Sequence, residues 1–124
     1  MAIRVRRAYE EPGPEDGHRI LVDRLWPRGI KKQDLRLDRW LKELAPSNEL
    51  RRWFGHDPSR WEEFQRRYRE ELQAPEKQRL LDELADEARH GNVTLIYSAR
   101  EGRHNNAVLL RDIIAERTGQ RHVA

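Results

Sequence analysis

Cysteine is absent from the 124-residue chain. That excludes disulfides, thiolate nucleophiles and cysteine-based zinc sites, and it fits a reducing compartment. Long apolar runs are missing too: no segment approaches the roughly 18 apolar residues of a membrane span. MAIRVRRAYE, at the start, lacks the apolar core of a signal peptide. The expectation is a cytoplasmic protein without membrane association. No GxSxG, P-loop, GxGxxG or HExxH pattern occurs, so the chain carries no motif for a hydrolase nucleophile, a nucleotide cradle or a zinc site. Neither metal nor cofactor is expected.

What is present is charge, 38% of the chain, with 25 basic and 22 acidic residues and a net of only +3. Four of the bases are lysines (Lys31, Lys32, Lys42 and Lys77), which leaves 21 arginines. Arginine offers a planar fork to carboxylates, phosphates and rings, and genomic composition bias also produces arginine-rich chains. The length fits one domain, residues 1–124, able to bury a core without staples.

Ile3 and Val5 alternate with arginines, as in a half-buried strand. EPGPEDG, 11–17, reads as an exposed loop, and the apolar run Ile20, Leu21 and Val22 as a strand covered on both faces. Leu37, Trp40, Leu41 and Leu44 fall at helical spacing before Pro46. Ser47 can cap a segment that Gly55 ends. Asp57 with Pro58, or a Ser59–Glu62 capping box, opens the next helix, whose stripe of Trp61, Phe64, Tyr68 and Leu72 is core. A helix from Pro75 has Gly91 at a left-handed end and His90 as a dipole-compensating cap. VTLIY, 93–97, is a second buried strand, and a last helix runs to near Gly119. The pattern predicts an α/β fold with a small sheet of about three strands, at least partly parallel, covered by about five helices.

Parallel strands at Leu21 and Leu95 send DRLWPRG, 23–29, and YSAREGRHNNA, 97–107, to one rim, where ligands of open α/β sheets bind. Arg24 and Arg28 would grip an anion, Ser98, Arg100, Asn105 and Asn106 would donate to it, and Trp26 or Tyr97 would wall the site. His104 or His56 would move protons and Asp23 would orient a partner. The same residues also suit a rigid structural corner, with Asn105 or Asn106 as a helix N-cap. His18 and His122 have no evident role.

Four blocks, RILVDRLWPRG, KELAPSNELRRWFGH, RWEEFQRRYREEL and LIYSAREGRHNNAVLL, together resemble the bacterial YeaO-like branch of domain-of-unknown-function family 488. The resemblance covers nearly the whole chain and implies a compact α/β domain without an assigned activity. Some relatives carry the label uroporphyrin-III methyltransferase, which no glycine-rich loop supports here. Other branches have cysteines near the last strand's end and before the final helix; LIYSAR and GRHNNA have none. The blocks concentrate polar residues at Asp23, Arg24, Arg28, His56, Tyr97, His104, Asn105 and Asn106. The expected function is binding of an anionic, phosphate- or nucleotide-like small molecule, with turnover left open. The alternatives are a nucleic-acid surface built on Arg51, Arg52, Arg66, Arg67 and Arg69, and an interaction domain using Trp40, Trp53 and Trp61.

Overall fold

The computed structural model describes residues 2–123, and side chains through residue 119; His122 lies outside the residues so described. Four strands, β1 (Ile3–Arg7), β2 (His18–Leu21), β3 (Arg39–Trp40) and β4 (Val93–Tyr97), form one sheet. Their order is β1-β4-β2-β3, and every neighbouring pair is parallel. The apolar run of β4 occupies the middle, buried at every residue, with Val5 and Ile20 both in register with Leu95. The predicted α/β class holds, and the sheet has one strand more than expected.

Five helices follow from local signals: α1 (Lys32–Leu35), α2 (Asn48–Phe54), α3 (Trp61–Glu71), α4 (Pro75–His90) and α5 (Asn106–Val123). Ser47 caps α2 by accepting the Leu50 N–H, and Gly55 ends it at φ 54°. Asp57, rather than Ser59, caps the 3₁₀ turn that leads into α3. His90 Nδ1 lies 2.8 Å from the Asp86 carbonyl, at the end of α4. Gly91 is extended, φ −174°, not left-handed. The chain must straighten there because Asn92 already accepts the His18 N–H and Val93 already bonds to Ala2.

The helix expected over 37–44 does not form. Arg36 turns left-handed at φ 52°, Asp38 Oδ2 accepts the Arg19 N–H at 2.8 Å, and Leu41 donates to the Leu21 carbonyl at 2.9 Å. The segment is thereby drawn onto the edge of β2 as β3. Its apolar residues are divided between two cores: Leu41 and Leu44 join the helical side, Leu37 and Trp40 the opposite side.

The sheet's two faces are covered differently. Ile20, Leu95 and Tyr97 pack with Phe54, Phe64, Tyr68 and the apolar residues of α4 and α5. Leu21 and Ile96 pack on the other side with Ala8, Leu35, Trp26 and Ile30, which lie in loops and the single turn of α1. Among the described residues, no helix is long and apolar enough to cross a membrane.

Candidate functional site

Because β2 and β4 run side by side in the same direction, the chain leaves both at one end of the sheet. Ser98, just past β4, donates its N–H (2.9 Å) and its hydroxyl (2.8 Å) to Oδ2 of Asp23, just past β2. Asn106, opening α5, donates its amide to the Val22 carbonyl at 2.9 Å and to Asp23 Oδ1 at 3.2 Å. Trp40 Nε1 donates to the Asp23 carbonyl at 2.7 Å. One aspartate thus ties together the ends of three strands and the start of a helix. Burial pushes its carboxyl above the ordinary range, prevailing over the Ser98 and Asn106 bonds and the charge of Arg51 that favour ionisation.

Asp23 borders a cleft of about 550 Å³. Ala45, Pro46, Phe54 and Phe64 supply apolar walls, Arg24, Arg51, Arg100 and His56 supply donors, and Glu101 adds a second carboxylate. Arg24 donates from Nη2 to the Pro46 carbonyl at 3.3 Å, while its Nε is buried without a hydrogen-bond partner. Among the described residues Arg24, Arg51 and Arg100 make no ion pair, whereas Arg66, Arg67 and Arg69 on α3 pair with Glu63, Glu70 and Glu116.

Seven of the residues singled out from sequence line this cleft: Asp23, Arg24, His56, Ser98, Arg100, Asn105 and Asn106. Asn105 is the N-cap of α5, its Oδ1 accepting the Val108 N–H at 3.1 Å and its amide donating to the Glu101 carbonyl at 2.8 Å. His56 is exposed at φ 57°, its ring 6.4 Å from that of Phe54.

Four others lie elsewhere. Trp26 belongs to the loop-covered face, donating to the Ile30 carbonyl at 2.7 Å with its ring edge-on to Trp40. Arg28 is exposed, and its carbonyl accepts the Tyr9 hydroxyl at 2.9 Å. Tyr97 is buried in the helical core, where burial raises its phenol. His104 stands beside the cleft, Nδ1 2.9 Å from Glu101 Oε2 and ring edge-on to Trp61. That hydrogen bond, with the Arg103 N–H, holds Glu101 below the ordinary carboxylate range.

Sequence reasoning placed neither Arg51, Phe54 and Phe64 nor Glu101 at the site. A signal did exist for the first pair: residues 51 and 54 are three apart on α2 and share its face.

A parallel sheet with a cleft outside the carboxyl ends of its strands defines an open α/β protein. Within that class the chain belongs to the DUF488-N3i family, described as the inactive DUF488-N3 subclade, whose model matches residues 2–123. It is similar to the uncharacterized protein YeaO of Escherichia coli, 46% identical over 112 residues, covering 90% of this chain and 96% of YeaO. It is also similar to the uncharacterized proteins Rv3073c of Mycobacterium tuberculosis and Mb3100c of Mycobacterium bovis, 56% identical over 70 residues and 56% of this chain. The match spans 59% of the length of those mycobacterial relatives. No solved structure matches the chain.

Proposed function

We propose that the cleft binds an anionic small molecule of the phosphate or nucleotide class, and that the protein acts by binding it rather than by turning it over. Arg24, on the wall of the cleft and without an ion-pair partner among the described residues, carries this reading. Arg51 and Arg100 border the same space without carboxylate partners, and an oxyanion would satisfy all three through charge-assisted bonds. The apolar walls suit the uncharged body of such a ligand. Binding without turnover draws support from the family's description as inactive.

The nucleic-acid alternative draws less support, since Arg66 and Arg67 pair with glutamates of α3 itself and Arg69 with Glu116 of α5. The tryptophans likewise have partners within the chain: Arg60 and Arg67 lie over Trp53, Lys42 lies over Trp40, and Trp61 stacks on Phe64. Thermal unfolding with inorganic phosphate and with adenosine monophosphate tests the proposal, because a ligand that binds only the folded state raises the midpoint. The rise is expected in the natural sequence and in Arg28→Ala, and is expected to vanish in Arg24→Ala. A rise that survives in Arg24→Ala, or no rise with either probe, rejects the reading.

A further inference from the structure

Guanidiniums around a cleft attract any oxyanion, so charge alone does not separate phosphate from sulfate. Asp23, on the same wall as Arg24, is where the two ligands differ. An ionised carboxylate offers about four acceptor positions and no donor. Oδ2 uses two of them on Ser98, while Oδ1 accepts only the Asn106 amide, at 3.2 Å. One acceptor position on Oδ1 is left over, on a side chain held by its neighbours so that it cannot swing out of the way.

A fixed carboxylate repels an anion unless a proton lies between them. A phosphomonoester can supply that proton, since its second ionisation falls near pH ~6; sulfate is fully ionised and has none to give. We propose that Asp23 is a specificity-determining residue that selects phosphate and phosphomonoester groups over sulfate. Oδ1 accepts the proton on the ligand's acid oxygen while Arg24 takes the charged oxygens. The inference rests on the anion-binding reading above.

Calorimetric titration of the full chain with inorganic phosphate and with sulfate, at equal ionic strength and pH 6.5, tests it. Phosphate is expected to bind about tenfold more tightly or better, the worth of one hydrogen bond to a charged group. Asp23→Asn, whose amide can donate, is expected to bring the two anions to equal affinity. A parallel titration with adenosine monophosphate separates the sources of the group: tighter binding than inorganic phosphate assigns the cleft to an ester, and weaker binding to the free ion, either one consistent with selection against sulfate. Equal affinities in the natural sequence, both lost in Arg24→Ala, overturn the selectivity and leave the cleft's anion binding standing. Binding of neither anion overturns both. The ratio in the natural sequence decides the matter even where Asp23→Asn fails to fold.

Discussion

At the scale of single residues the tightest constraint falls on Gly17. Its φ of 63° is one that side chains rarely adopt, and a Cβ there would stand 2.1 Å from the Asn92 carbonyl oxygen and 2.8 Å from its carbon. The approach is close because His18 donates its N–H to that carbonyl at 2.9 Å, starting the β2–β4 ladder. What the methyl would strike is backbone, so relief requires β2 to separate from the residue preceding β4. Gly29 has a similar φ of 82° but open space around it. Gly17→Ala is therefore expected to cost more than ~2 kcal/mol, a clash added to left-handed strain, and Gly29→Ala only the strain of ~1 kcal/mol. Urea unfolding of the two variants checks the order; equal midpoints would contradict it.

Elements meet at the start of α5, where two adjacent asparagines do different work. Asn105, buried, caps the helix and holds the loop that carries Glu101, while Asn106 reaches across to Val22 and Asp23. Asn105→Ala is expected to destabilise by about 1–2 kcal/mol, and Asn105→Asp, which keeps the accepting oxygen, to recover most of that in a denaturant titration. The cap was legible as a choice between neighbours, because short polar side chains before an apolar run signal a helix start; which one turned inward depended on β2. The same holds over 37–44. Leu37, Trp40, Leu41 and Leu44 have helical spacing, yet the edge of β2, a partner about twenty residues back, pulls them into a strand and sends them to opposite faces. Ser47, Gly55 and the run of β4 could be read correctly because their information is local. The cleft was half legible: parallel β2 and β4 bring Asp23 and Ser98 together, but Arg51 arrives on α2, which is placed by Phe54 stacking on Phe64 at 4.4 Å. Trp26 and Arg28 lie two and four residues beyond Arg24, yet Trp26 packs on the far face, which the helices leave to the loops.

Across the whole molecule the carboxyls of two aspartates, Asp16 buried and Asp23 partly buried, are shifted in opposite directions. Asp16, 1% exposed, fastens the loop that returns from β1 to β2: it accepts the Gly13 N–H at 2.9 Å, pairs with Arg19 and Arg6, and its carbonyl accepts the Thr94 hydroxyl. Burial alone would raise its carboxyl, but those bonds and charges hold it below the ordinary value. A group depressed in the folded state contributes stability that is present above the unfolded value of ~3.9 and lost as pH falls through the folded one. Asp23, raised, has the reverse sign: its stabilising protonated form is lost as pH rises through its folded value. Glu63, held to about 2 by Arg66 and Arg67, has the same sign as Asp16 but is exposed, so salt screens it. Asp16→Asn keeps the size of the side chain and leaves Arg19, 5% exposed, without its counter-charge. The expected loss at pH 7 is ~3 kcal/mol, typical of breaking a buried pair from one side. It should narrow at pH 3, where the natural protein begins to lose the same contribution. Urea titrations of both proteins at the two pH values measure the gap, and a gap unchanged between them would mean that the charge of Asp16 does not hold the loop across the sheet.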